Sequence, residues 1–397
     1  MGAVQIMEGI YWVGVVDWNL RYFHGYSLST HRGTTYNAYL IVDDKVTLVD
    51  TVYGPFAEML LKNISEVVDP EKIDYVICNH LESDHSGSLP AVMEKAPGAT
   101  VYCSPRCEEG LRKYFQKDWD IQVMKTGSEL SLGKRTLSFI EAPMLHWPDS
   151  MFTYVKEDGL LIPNDAFGQH YASSKRFDDE VDLNIVMEEA AKYYANILYP
   201  FSKMVLKKIE ELKKMGIPVN MIAPSHGIIW RENIGMIIDQ YVQWASGQGR
   251  PKVVVAYDTM WHSTEKMAYA IMEGIQAEGV EAQLFRLPLS DHNDIIKEIL
   301  DGSAILLGSS TIHKEFLPTL APLLDEIVAL KPGNVLGAAF GSYGWSSGAV
   351  EAIEEKLSKA KIERPMEALK IKWAPDEQEL KQCFDFGKEM AAKVKTR

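Results

Sequence analysis

The chain has 397 residues, more than a single hydrophobic core usually supports, so two domains are expected. Hydrophobic residues make up 46% and charged residues 24%, an ordinary globular balance, and no apolar run is long enough to span a bilayer. The formal net charge of −14 argues against nucleic acid as a partner, because an acidic surface repels phosphate.

The N-terminus, MGAVQIMEGIYWVGVVDW, has no basic flank and carries Glu8 within its apolar stretch, so it does not read as a signal peptide. It also lacks the Ser or Thr that myristoylation requires. A cytoplasmic protein is expected. The four cysteines, Cys78, Cys103, Cys107 and Cys383, then read as reduced structural thiols. Cys103 and Cys107 form one CxxxC without a second pair, which argues against an iron or zinc site of the rubredoxin type.

Residues 36–51, YNAYLIVDDKVTLVDT, place Asp43-Asp44-Lys45 between two β-branched runs, which predicts a hairpin. Further strands are expected at 74–78, 100–103, 136–141, 152–155, 160–163 and 221–224. Helical patterns at 56–67 and 180–197 fall among them. Hairpins mixed with helices suggest two sheets covered by helices, an α/β sandwich. A helix at 233–245 leads into Ser246-Gly247-Gln248-Gly249-Arg250-Pro251, where the domain boundary is expected, giving domains 1–250 and 251–397.

The pattern then changes. Strand candidates at 253–257, 282–286, 304–307 and 335–340 alternate with helices from about 265 and at 293–300, 317–329 and 349–360. Strict alternation predicts a doubly wound parallel sheet.

His80-Leu81-Glu82-Ser83-Asp84-His85 puts four potential metal ligands in six residues, just past a strand. Carboxylates and imidazoles packed this densely need a cation to hold them together. The alternative is a solvated polar loop capping a helix. His146 in MLHWPD, Asp165 in IPNDAFG and His226 in APSHG each fall just past another strand candidate. Four His and three carboxylates suit two metals with one carboxylate bridging. Asp50, near the end of TLVDT, either supports this site through hydrogen bonds or caps a turn.

In the second half, Asp258-Thr259-Met260-Trp261-His262-Ser263-Thr264 follows a strand and opens a helix. A helix N-terminus with hydroxyls around it binds phosphate. There is neither a GK[ST] nor a GxGxxG pattern. Two later loops, Gly308–His313 and Gly341–Gly348, follow strands at the end where such folds bind ligands. Glycines there admit a flat ring, and Tyr343 and Trp345 are placed to stack on it.

The ligand loop resembles the metallo-β-lactamase superfamily motif His-x-His-x-Asp-His, with Glu82 replacing the second His. Added carboxylate suits iron better than zinc. With His146, Asp165 and His226 at these spacings, the chain resembles the flavodiiron proteins from about residue 9 to 387. The resemblance implies a metallo-β-lactamase-like αββα sandwich followed by a flavodoxin-like domain. It also implies two non-haem irons and FMN. One iron would take the residues matching His80, Glu82 and His146, and the other Asp84, His85 and His226, with Asp165 bridging.

The FMN contacts would come from Thr259, Met260, Trp261, His262, Ser263, Thr264, Ser309, Ser310, Thr311, Ile312, His313, Ser342, Tyr343, Gly344, Trp345, Ser346 and Gly348. The family usually has Pro at the position of Ser310 and often Asn at that of His313, which bears on the flavin potential. His24 in YFHGY and Tyr194 in KYYANIL match family positions at the open face of the irons, with structural packing as the alternative for both.

The activity implied is reduction of nitric oxide to nitrous oxide, of dioxygen to water, or both. Dioxygen takes four electrons and a pair of nitric oxide molecules takes two; a flavin hydroquinone beside two ferrous ions stores four. A head-to-tail homodimer, or a dimer of dimers, would bring the FMN of one subunit to the irons of the other. With no rubredoxin or reductase segment after residue 397, an external donor such as rubredoxin is expected. The competing reading is a dizinc metallo-β-lactamase-type hydrolase carrying a flavodoxin-like module.

Overall fold

The computed structural model describes residues 2–397. The chain divides into two compact units. One holds the residues up to Tyr193 together with Lys203–Val242; the other holds Tyr194–Ser202 and Gln243–Arg397.

The first unit is built on two sheets. Seven strands lie in the order Val4–Met7, Ile10–Trp12, Tyr39–Ile41, Val46–Val49, Ile73–Cys78, Thr100–Cys103 and Ile121–Val123. The expected hairpin forms between Tyr39–Ile41 and Val46–Val49. The last four strands of that order run parallel, so their carboxyl ends share one edge. Five strands make the second sheet: Glu129–Ser131, Thr136–Glu141, Met151–Val155, Leu160–Ile162 and Met221–Ile222.

Ile10, Trp12, Tyr39, Ile41, Val49 and Ile77 of the first sheet pack against Leu137, Phe139, Met151, Val155 and Ile162 of the second. Each such side chain, taken fully out of water, contributes about 1.5–3 kcal/mol. Helices bury one stripe each: Leu60 and Ile64 in Ala57–Ser65, Cys107 and Leu111 in Pro105–Phe115. All four cysteines are free and buried.

The helix expected over 180–197 is α-helical only from Leu183 to Tyr193 and passes into a π-helical turn, Tyr194–Leu198. The wider turn shifts the helical phase at that point, which bears on the tyrosines discussed below.

The second unit is a five-stranded parallel sheet in the order Glu281–Arg286, Lys252–Asp258, Ala304–Ser310, Leu336–Tyr343, Leu369–Lys372. Helices alternate with the strands, as the sequence pattern predicts. Two strands run further than expected. Ala304–Ser310 and Leu336–Tyr343 take in Gly308–Ser310 and Gly341–Tyr343, which the sequence suggests are loop. Pairing of Gly308 with Phe340, Ser309 with Gly341 and Ser310 with Ser342 overrides the low strand propensity of Gly and Ser. The strand Leu369–Lys372 and the helix Glu377–Lys395 complete the unit. Among the described residues, no helix is long and apolar enough to cross a membrane.

Candidate metal centre and flavin site

In the first unit, loops leaving the carboxyl ends of strands converge. Asp50 follows Val46–Val49 with a left-handed backbone, φ 57°. Its carboxylate accepts hydrogen bonds from Asn79 N (2.8 Å), Asn79 Nδ2 (3.0 Å) and Asn164 Nδ2 (3.2 Å). It therefore ties the residue before His80 to the residue before Asp165 and does not itself join the cluster.

His80, Glu82, His146 and Asp165 bring one ligand atom each within 4.8 Å of one another, and Asp84, His85 and His226 form a second such group. Glu82 Oε2 lies 3.3 Å from both His80 Nε2 and His146 Nε2. Asp84 Oδ2 lies 3.1 Å from His85 Nε2 and 3.0 Å from His226 Nε2. Asp165 faces both groups: Oδ2 is 3.5 Å from His146 Nε2, and Oδ1 is 3.1 Å from His85 Nε2.

The donor set fits two cations. Both carboxylate oxygens of Asp84 and Asp165 and both ring nitrogens of His85 are buried without a hydrogen-bond partner among the described residues. Close N and O atoms that do not align as hydrogen bonds are lone pairs aimed at common points, the arrangement a metal ion satisfies. The outer contacts fix the imidazoles. His80 Nδ1 lies 3.0 Å from Asp149 Oδ2, which also accepts from Leu81 N at 2.7 Å. His226 Nδ1 donates to Thr35 O at 2.7 Å. In both rings this leaves Nε2 for the cluster.

Burial opposes charge throughout the cluster, and the mutual contacts overcome it. Hydrogen bonds to Asp149 and Glu82 hold His80 well above its ordinary pKa despite burial. Asp84 and Asp165 raise His85 to about 9 against the same penalty. Burial would raise Asp165, but His85, His146 and His80 hold it well below the usual carboxylate range.

A cavity of about 430 Å³ opens over the cluster, walled by Tyr22, Phe23, His24, Tyr36, Glu82 and Asp84 among others. His24 Nε2 hydrogen-bonds Glu82 Oε1 at 2.8 Å, so it stands at the open face.

In the second unit, three hydroxyls meet at the carboxyl ends of adjacent strands. Thr264 Oγ1 is 3.0 Å from Ser310 Oγ and 2.9 Å from Ser342 Oγ. Met260 N donates to Ser310 Oγ at 3.4 Å. Thr259 Oγ1 is buried with no hydrogen-bond partner among the described residues. The helix Ser263–Ala277 begins here, with the amides of its first turn unused within the helix. A buried unpartnered hydroxyl beside a helix N-terminus fits a phosphate. Nearby, Thr311, His313, Lys314, Gly344, Trp345 and Ser346 line a cavity of about 360 Å³. Trp261 and Trp345 are 85% and 88% exposed, so neither is consumed by the core and both can meet a ring.

A family model described as ODP family beta lactamase matches residues 34–227, and one for flavodoxin matches residues 255–387. The nitric oxide reductase of Moorella thermoacetica is 56% identical, over 98% of each chain. The rubredoxin oxygen:oxidoreductase of the anaerobe Desulfovibrio gigas superposes with a TM-score of 0.97 at 40% identity, covering 99% of both chains. The flavodiiron protein of Giardia intestinalis gives 0.96 at 35%, covering 100% of this chain and 97% of its own. The chain belongs to the flavodiiron proteins. The lactamase-like and flavodoxin-like folds implied by the motifs are those of this flavodiiron chain.

The structure departs from the sequence reading at Tyr194. Tyr194 turns away from the cluster: its hydroxyl lies 3.0 Å from Ser202 Oγ, and its ring packs 5.3 Å from that of Trp244. Its neighbour Tyr193, the last residue of the α-helix, faces the cluster, with ring centroids 5.0 Å from His170 and 6.0 Å from His226. Burial and the charges of Asp165 and Asp84 hold the Tyr193 phenol well above its ordinary pKa. The Ser309 hydroxyl donates to Ser310 O (2.8 Å) and accepts from Leu317 N (2.9 Å).

Other flavin candidates have backbone roles. Ile312 exchanges backbone hydrogen bonds with Glu315 and so presents His313 at the tip of a turn. Gly348 lets the backbone of Lys314 pass where a Cβ would collide with it.

Three contributors escaped the sequence reading. Asp149 sits three residues after His146 in the same loop, and that proximity was its only signal. Tyr193 had the same motif as Tyr194. His170 is buried against His226 with ring centroids 5.0 Å apart, and nothing in GQHYA marks it.

Proposed function

We propose that this flavodiiron protein reduces nitric oxide to nitrous oxide, dioxygen to water, or both, at a diiron centre in domain 1–250 fed by FMN in domain 251–397. The observation that carries this is the split ligand set. Asp165 offers one oxygen to each group, and Glu82 stands where a zinc hydrolase of the superfamily would have His. Two irons held by these groups would bind the gas as Lewis acids and exchange electrons with it, while FMN would accept electrons from a donor and pass them on.

The chain's own residues set the stage for this. Asp165 shares its carboxylate between the two sets, which keeps both within reach of one small substrate. His24 holds Glu82 by the oxygen that does not face His80 and His146. Tyr22, Phe23 and Tyr36 form an aromatic approach suited to a small uncharged gas. The hydroxyls of Thr264, Ser310 and Ser342, with the amides of the loop from Thr259, would hold the flavin phosphate and ring edge.

Rubredoxin is named in a structural relative, and it is our choice of donor. A head-to-tail homodimer in the cytoplasm is the assembly we expect. The test is metal and flavin content of the purified chain, then anaerobic reduction and a pulse of either gas. About two irons and one FMN with fast reoxidation support the reading. Two zincs, or inertness to both gases once iron is loaded, would replace it with the hydrolase.

A further inference from the structure

The two ligand sets are backed by different chemistry. Behind the first, His80 Nδ1 meets the carboxylate of Asp149 at 3.0 Å. Behind the second, no carboxylate among the described residues holds the outer nitrogen of His226. That nitrogen donates to the carbonyl of Thr35 at 2.7 Å and has the hydroxyl of Thr34 at 3.5 Å. The same hydroxyl lies 2.9 Å from His170 Nδ1 and 3.2 Å from Thr35 O. One hydroxyl therefore touches His170, the carbonyl that fixes His226, and the edge of His226 itself.

The packing is as specific as the hydrogen bonding. The His170 ring is wedged between Phe23 (4.6 Å), Tyr193 (5.0 Å) and His226 (5.0 Å). Gln169 holds the backbone on both sides of Gly227, directly after His226, donating N–H to His226 O at 3.2 Å and accepting from Ile228 N at 2.7 Å. The His170 ring is buried against His226, and its Nε2 has no hydrogen-bond partner among the described residues. A buried imidazole left half-satisfied is expensive unless its other nitrogen has a task.

We propose that His170 and Thr34 form a brace that positions the His226 ring, so that the second ligand set owes its hold on a metal to them and the first to Asp149. This rests on the two-metal reading of the site. The brace is neutral and the first support is anionic. A carboxylate behind an imidazole makes it a stronger donor, so the first set is the tighter of the two.

Cobalt(II) titration of the metal-free full-length chain, followed by visible absorption and calorimetry, separates the two binding steps. Outer partners of metal-bound His are typically worth about 10–100-fold in affinity. Thr34→Val and His170→Phe are each expected to weaken the weaker step about tenfold and shift its absorption band. Together they should do little more than either alone, because they break one bridge. Thr34→Ser, which restores the hydroxyl, should bind like the original chain. Asp149→Ala should weaken the tighter step instead.

The brace is overturned if Thr34→Val leaves both steps unchanged. It is also overturned if Thr34→Val and Asp149→Ala weaken the same step, or if Thr34→Val merely lowers the Tm of the metal-free chain without touching either step. An unsubstituted chain that binds fewer than two cobalts removes the two-metal reading itself, a different result visible before any variant is made.

Discussion

The metal cluster and the flavin loops hold their groups by opposite means. The cluster uses seven ionisable side chains, six of them buried and Glu82 half-buried, each paired with others of the set or its outer contacts. The flavin loops use hydroxyls, backbone amides and exposed rings, with Trp261 and Trp345 standing almost free. A buried cluster of charge cannot tolerate the loss of a member, because the partner left behind is unpaired in a low-dielectric interior. A site of neutral donors loses one hydrogen bond at a time and strands no buried charge. The two sites should therefore respond to substitution very differently.

Glu82→Ala is the sharpest test of that contrast. It strips the first set of its private carboxylate and leaves the imidazoles of His80 and His146, with that of His24 outside the set, facing the space. Gas reduction should fall by more than about 100-fold, beyond the loss of any outer contact. FMN content, read by absorbance, should stay at the original level. Full activity in this variant would remove Glu82 from the ligand set.

On the flavin side the effect should be smaller. Thr264→Val deletes the hydroxyl that joins Ser310 and Ser342 and leaves both buried oxygens short of a partner. An unsatisfied buried group costs about 1–3 kcal/mol, so FMN affinity should drop by roughly 5- to 150-fold with metal content unchanged. Fluorescence titration of the flavin-free chain reads this directly, and an unchanged Kd would break the comparison.

Gly227→Ala probes the scaffold behind His226. Gly227 has φ 78°, and a Cβ there would run into the side chain and backbone of Gln169. Loss of about 1–3 kcal/mol in unfolding free energy is expected, measured by chemical denaturation. A neutral result would mean that the backbone next to His226 is less constrained than its contacts indicate.

The smallest effect separates the two tyrosines. Tyr193→Phe removes a phenol beside the cluster and should slow turnover several-fold, on the order of one hydrogen bond. Tyr194→Phe loses the contact with Ser202 and should leave turnover as it was, a pairing that stopped-flow reoxidation can resolve. Equal effects would return Tyr194 to the site.

Much of this molecule is legible before folding is considered. The β-branched runs around Asp43-Asp44-Lys45 form the hairpin they predict, because side-chain alternation and turn residues are local signals. The strict alternation after residue 251 produces a parallel sheet for the same reason. The dense loop His80–His85 and the three isolated ligand candidates come together in two groups. They do so because each lies just past the carboxyl end of a strand, and strand ends of one direction share an edge. The extra strand length at Gly308–Ser310 and Gly341–Tyr343 was not legible, since it depends on pairing with neighbours and not on the propensity of Gly and Ser.

The sequence by itself determined the identities that chemistry needs: four imidazoles, three carboxylates, a hydroxyl-rich turn before a helix, and two fold grammars in one chain. Those follow from residue type and spacing, which survive any rearrangement of the backbone in space. Only the tertiary structure decided which of Tyr193 and Tyr194 faces the cluster, because a π-helical turn shifts the phase between them. It alone decided that Asp149 backs His80 and that Thr34 joins His170 to His226 across 136 and 192 residues of chain. Contacts at such separations depend on how loops far apart in the chain are brought together, and no local pattern records that.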